Sequence, residues 1–124
     1  WLISGDGSIM MNCQEMATAA ELGIPIRVLI LNNRGLGMVR QWQRRFYGHR
    51  YSYSKHELDQ DFALLAEAMH CTGMRLEAGQ DILAELTKAR QTPGPVIIDA
   101  RVDDDEDVIP MVAPGRPIDE MMEC

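Results

Sequence analysis

Apolar residues in this chain follow two rhythms: short unbroken runs, and stripes spaced three and four residues apart. The runs read as strands. Trp1-Leu2-Ile3 is stopped by Gly5-Asp6-Gly7, and residues 26–31 are almost continuously apolar with no Gly or Pro before the polar stop Asn32-Asn33. An unbroken run marks a strand covered on both faces, as in parallel sheets. Residues 74–76 and 95–102 predict two more strands. The stripes read as helices: Cys13, Met16, Ala17 and Ala20; then Val39, Trp42 and Phe46; then Phe62, Leu65, Ala66 and Met69; then Ile82, Leu86 and Ala89 across residues 80–90. Asn12 with Glu15 reads as a capping box, and Asp61 reads as an N-cap. Residues 47–58, rich in Tyr, Ser, His and Gly, read as a loop. The Pro-containing end reads as an extended tail with a helical turn at 118–122.

The order β-α-β-α-α-β-α-β predicts an α/β fold, a parallel sheet with helices on both faces. Residues 1–102 are expected to belong to that domain and 103–124 to be an acidic segment and tail. In such sheets ligands bind beyond the carboxyl ends of the strands. Gly5-Asp6-Gly7-Ser8 and Asn32-Asn33-Arg34-Gly35 fall there.

Composition narrows the function classes. The chain has 124 residues, 46% of them hydrophobic, enough for one domain with a core. A net charge of −7 argues against nucleic acid or an anionic membrane as partner, since their binders carry basic footprints. Asp103-Asp104-Asp105-Glu106-Asp107 reads as a solvated segment. Cys13, Cys71 and Cys124 lack metal spacing and suit a reducing compartment. No apolar run is long enough to span a membrane, and a cytoplasmic location is expected. The chain starts at Trp1, within a run that reads as a strand, so a longer protein is expected.

Gly5 and Gly7 let the backbone turn sharply and approach a ligand. The amides of Gly7, Ser8 and Ile9 precede a helix, where free N–H groups favour an anion such as phosphate. Asp6 puts a carboxylate beside that anion, which makes chemical sense with Mg²⁺ between them. Taken alone, Gly-Asp-Gly also reads as an ordinary strand-to-helix turn, and Asn32-Asn33 as a turn. One helix and one strand after Asp6, a βαβ crossover returns Asn33 to a neighbouring strand end. Asn33 can then offer its amide oxygen to the same cation, and Gly35 its carbonyl.

Gly5-Asp6-Gly7 followed by Asn32-Asn33 at this distance resembles the signature of thiamine-diphosphate enzymes. Further segments resemble the acetolactate synthase large subunit: 7–15, Gly37-Met38-Val39-Arg40-Gln41-Trp42-Gln43, 46–52, 61–69 and 110–121. The resemblance implies that Asp6, Asn33 and the Gly35 carbonyl ligate Mg²⁺. It implies that Gly5, Gly7 and Ser8 help hold the diphosphate and that Met38 lies near the cofactor. Trp42 and Val39 would line a substrate and herbicide pocket, although Met38, Val39 and Trp42 also read as a helix core stripe. His49 is a loop residue that could touch substrate or be merely solvated, and His70 reads as a surface or cap residue.

The implied activity is carboligation: pyruvate loses carbon dioxide and its two-carbon remainder joins a second pyruvate or 2-ketobutyrate, a step of branched-chain amino-acid biosynthesis. The resemblance also implies an FAD-binding domain outside this chain, a homodimer, and a regulatory small subunit. The carboxylate that activates the cofactor would come from the partner's N-terminal domain. No catalytic residue is expected in this chain, which alone should be inactive. The alternatives are another thiamine-dependent decarboxylase, oxidase or carboligase, or a non-catalytic diphosphate-binding module.

Overall fold

A computed structural model describes residues 1–123. Four parallel strands form the sheet in the order β1-β2-β4-β3: β1 (Leu2–Gly5), β2 (Arg27–Asn32), β3 (Thr72–Leu76) and β4 (Val96–Arg101). All pairings are parallel, with Gly5 opposite Leu31 at the end of β1. Between the strands lie α1 (Asp6–Ile9), α2 (Glu15–Glu21), α3 (Gly37–Phe46), α4 (Phe62–Ala68) and α5 (Ile82–Gln91). The predicted α/β architecture is the observed one.

Alternation along the central strands divides the core between two faces. Val28, Ile30 and Ile97 pack with Ile9, Met16, Phe62, Ala66 and Cys71, which seats α2 and α4 on one face. Val96, Ile98 and Ala100 pack with Met74, Leu76 and Ala89, which seats α5 on the other. Side chains as large as Phe62 (1% exposed) and Ile30 (0%) are sealed here. Complete burial of such a side chain contributes about 1.5–3 kcal/mol.

Helix ends are satisfied by named groups. Asp61 and Asp81 accept the amides of Leu64 and Ala84, capping α4 and α5 as N-caps do. The Arg27 guanidinium, buried at the start of β2, donates to the carbonyls of Ala89, Arg90, Thr92 and Gly94 at 2.5–3.0 Å. Those groups include the orphan acceptors at the α5 C-terminus, where a cation also meets the negative end of the helix dipole.

Several expectations need correction. The Asn12–Glu15 capping box does not form: Gln14 precedes α2 without a side-chain cap, and successive turns lead there from α1. Ile82 is exposed; Leu86 and Ala89 carry the α5 contact instead. In the tail the expected helical turn at 118–122 is limited to one hydrogen-bonded turn, Glu120 N to Pro117 O at 3.1 Å, and does not continue through 122. Met111–Val112 (β5) pairs antiparallel with Met121–Met122 (β6). The acidic segment is not merely solvated. Asp104 and Asp107 have side chains only 22% and 12% exposed. Lys55 lies 3.0 Å and Arg40 3.6 Å from Asp104, and Arg45 lies 2.6 Å from Asp107, which Arg44 also contacts.

Cys13 and Cys71 are free thiols, and burial pushes the Cys71 thiol up. Cys124 lies outside the described residues. No helix among the described residues is long and apolar enough to cross a membrane.

Candidate functional site

The two polar loops meet. Because β1 and β2 are adjacent and parallel, their carboxyl ends open on the same edge of the sheet. Gly5 ends β1 with extended backbone, and Asp6 opens α1 directly. Asp6 is buried, and its two carboxylate oxygens face different loops. Oδ1 accepts the Gly7 amide at 2.9 Å, and Oδ2 accepts the Gly35 amide at 3.0 Å. Of the three amides expected to face an anion, that of Gly7 is therefore engaged by Asp6 itself. Ser8 is exposed within α1.

Asn32 and Asn33 divide the work of the second loop. Asn32 is buried and engaged through both amide atoms: its Nδ2 donates to Asp99 Oδ1 at 2.9 Å, and its Oδ1 accepts the Arg34 amide at 3.0 Å. Among the described residues, the Asn33 amide and the Gly35 carbonyl have no such partner. Arg34 takes a left-handed backbone (φ 57), which swings the chain toward Asp6.

Loop 47–58 closes over this turn. Leu36 N donates to Ser54 O at 2.8 Å, and His56 N donates to Arg34 O at 2.9 Å. Two glycines have neighbours pressed close against them. A Cβ on Gly35 would sit 2.5 Å from the Ser54 carbonyl oxygen, and one on Gly37 would strike the Asn33 amide. Asp6 and the Gly35 backbone are thus held together beyond the strand ends, with the Ser54 backbone packed against Gly35 and the Asn33 side chain beside Gly37. Among the described residues no cluster of three or more His, Cys, Asp or Glu could hold a metal. Any ion here would therefore depend on amide and backbone oxygens beside one carboxylate, a set suited to a hard cation that takes its remaining ligands from phosphate and water.

Comparison with known proteins bears on this arrangement. Residues 1–100 match the model of the thiamine pyrophosphate enzyme, C-terminal TPP binding domain. The chain belongs to the thiamine pyrophosphate enzymes. It is 46% identical to the acetolactate synthase large subunit of Pyropia yezoensis over 92% of the chain and 20% of that protein. It is 44% identical to the mitochondrial acetolactate synthase catalytic subunit of Saccharomyces cerevisiae over 97% of the chain and 17% of that protein. It is 47% identical to the acetolactate synthase of Arthrospira platensis over 97% of the chain and 21% of that protein. The chain thus spans about a fifth of the length of these curated relatives.

Within this thiamine pyrophosphate enzyme domain, α3 is built the reverse of what the apolar stripe predicts. Its buried residues are Arg40 and Gln41, while Met38 and Val39 are nearly half exposed and Trp42 is half-buried. The reading of Met38 and Val39 as core is therefore set aside. With Trp42, Gln43, Tyr47 and Arg50 they line an apolar depression of about 620 Å³. Trp42 packs edge-on against Phe46, ring centroids 5.5 Å apart, which fixes its indole at the rim.

His49 is exposed and its Nδ1 lies 3.3 Å from the Tyr51 hydroxyl; His70 is exposed with φ 61 just after α4. Neither reaches the Asp6–Gly35 contact. Sequence reasoning gave no role to Asn32, Gln41 or Asp99. One signal was available: Asp99 is a charged residue inside the strand Val96–Arg101, where every neighbour up to Ala100 is buried.

Proposed function

We propose that this chain supplies the cofactor-holding part of a thiamine-diphosphate- and Mg²⁺-dependent acetolactate synthase. The observation that carries the cofactor reading is the 3.0 Å hydrogen bond from Gly35 N to Asp6 Oδ2, which brings two loops from different strands to one point. Asp6, Asn33 and the Gly35 carbonyl would hold Mg²⁺, and Gly5, Gly7 and Ser8 would border the diphosphate. The bound cofactor supplies the electron sink for loss of carbon dioxide from a 2-keto acid. This chain's residues bind and orient it.

Met38 would lie along the cofactor, and Val39 and Trp42 would shape the pocket for the second 2-keto acid and for herbicides. The choice of acetolactate synthase within the family rests on similarity that runs through α3 and the tail, covering 92–97% of the chain in the three relatives above. The reading includes an FAD-binding domain, a homodimer and a regulatory subunit, none of them within this chain.

The test uses the intact protein that carries this chain, supplied with pyruvate, MgCl₂ and thiamine diphosphate. Acetolactate is the expected product. Acetaldehyde or acetyl phosphate would assign the chain to a different thiamine enzyme, and no turnover with the cofactor still tightly bound would favour a non-catalytic diphosphate-binding module. Asp6→Ala is expected to raise the Mg²⁺ and thiamine diphosphate requirements together, because one ion bridges both. Unchanged cofactor affinity in that variant would remove the metal site.

A further inference from the structure

We propose that Asp99 and Asn32 are positioning residues that set the conformation of the Asn33–Gly35 loop, and thereby the Mg²⁺ affinity of the site. The inference rests on the metal reading above. Asp99 is completely buried in β4, between Ile98 and Ala100, where an apolar side chain would serve packing as well. A buried carboxylate is costly unless it is compensated. Arg101 supplies charge 3.1 Å from Oδ2, and Arg75 lies 4.0 Å away, but neither makes a well-aligned hydrogen bond to that oxygen. The aligned bond of Asp99 goes instead to Asn32, at 2.9 Å.

That bond carries a direction. An ionised carboxylate only accepts hydrogen bonds, so Asn32 must turn its NH₂ group toward Asp99. Its oxygen is then forced the other way, onto the Arg34 amide. Accepting that amide favours φ 57 at Arg34, a left-handed conformation uncommon for a residue bearing Cβ. The next residue is Gly35, whose amide meets Asp6. A relay of five residues thus runs from Asp99 through Asn32 and Arg34 to the Gly35–Asp6 contact. Asn33, the residue with the free amide, is carried in its middle.

The experiment exchanges the two side chains in the intact protein. Asp99→Asn removes the acceptor-only partner, and Asn32→Asp sets two carboxylates against each other. The double variant Asn32→Asp/Asp99→Asn restores one donor–acceptor pair, keeps the total charge, and leaves an oxygen for the Arg34 amide. Binding of thiamine diphosphate to the apoenzyme is read as a function of MgCl₂ by equilibrium dialysis, with the thermal midpoint of the apoenzyme measured alongside.

Asp99→Asn is expected to raise the half-saturating Mg²⁺ concentration roughly tenfold, the scale of effects beyond the direct ligands, and addition of Asn32→Asp to return it to within about threefold of the parent. The comparison does not require Asn32→Asp alone to fold. An unchanged Mg²⁺ requirement in Asp99→Asn, or a double variant as impaired as the single, would overturn the relay. A lowered thermal midpoint with unchanged Mg²⁺ affinity would reduce Asp99 to a stabilising residue. Asp6→Ala in the same assay separates the two readings: if it weakens binding while Asp99→Asn does not, the relay alone fails, and if it has no effect, the metal reading fails first.

Discussion

Gln41 and Val108 exchange two hydrogen bonds: Gln41 Nε2 donates to Val108 O at 3.0 Å, and Val108 N donates to Gln41 Oε1 at 2.9 Å. A buried helix side chain thereby copies the pairing of a neighbouring strand and fastens the segment after the acidic run to α3. Gln41→Leu keeps the bulk but removes both bonds to Val108, and a typical hydrogen bond contributes about 0.5–1.5 kcal/mol. The expected result is a lower urea midpoint with an unchanged slope. An unchanged midpoint would mean that the segment is not fastened there.

The ion pairs beside that latch predict a pH response. The hydrogen bond from Lys55 holds the Asp104 carboxyl below its ordinary value; burial pushes the Asp107 carboxyl up, but Arg45 and Arg44 together hold it down. A carboxyl lowered in the fold stabilises it fully above the ordinary value and loses that contribution as pH falls through the lowered one. Asp107→Asn should therefore lower the thermal midpoint near neutral pH, with the gap to the parent closing only below the ordinary value of 3.8. Added salt should narrow the gap, since these groups are only partly shielded from solvent. A gap that persists into acid would point to packing and not charge.

Gly37→Ala tests Asn33 without touching a donor atom. The added methyl would strike the Asn33 amide, which must then rotate away. Gly37 is the first residue of α3, so alanine gains only a fraction of the about 0.8–1.0 kcal/mol it has over glycine in a helix interior. Thermal stability of the apoenzyme should hold or rise while Mg²⁺-dependent thiamine diphosphate binding weakens several-fold. Equal affinity in both proteins would exclude Asn33 as a ligand.

Trp42→Leu is expected to change the partition between pyruvate and 2-ketobutyrate as second substrate and to weaken herbicide inhibition, with the Mg²⁺ requirement unaltered. The two acids differ by one methylene, and a pocket discriminates such a group by about 1–3 kcal/mol. Competition between the two acids, read by the product ratio, measures it. An unchanged ratio would leave Trp42 as a partner of Phe46 only.

The sheet was legible because its strands contain unbroken apolar runs, and residues 27–32 lie within one residue of expectation; β1 was expected to be buried, but Leu2 and Ile3 are exposed on this edge strand. The Asp6 and Asn33 loops were legible because glycines and polar residues stop two adjacent runs. Helix α3 was not, because periodicity reports that an apolar stripe exists and not which side of it meets the protein. Here guanidinium and amide groups supply the buried side by pairing with Asp104, Asp105 and Val108. The tail misled for a related reason: Ile118, Met121 and Met122 sit at helical spacing, but their segment pairs with Met111–Val112 instead. Asp99 was passed over because its hydrogen-bond partner Asn32 lies on another strand, and pairing across a sheet leaves no local pattern.

The pairing of Gly5 with Leu31 levels the two halves of the site. Asp6 and the Asn32–Gly35 loop reach each other only because each leaves its strand at the same height. A slip of one residue would raise one loop by about 3.3 Å relative to the other and turn Val28 and Ile30 out of the core. The apolar side chains in the middle of β2 therefore act at a distance on the two loops: they are the gauge that keeps Asp6 and Gly35 within a hydrogen bond of each other.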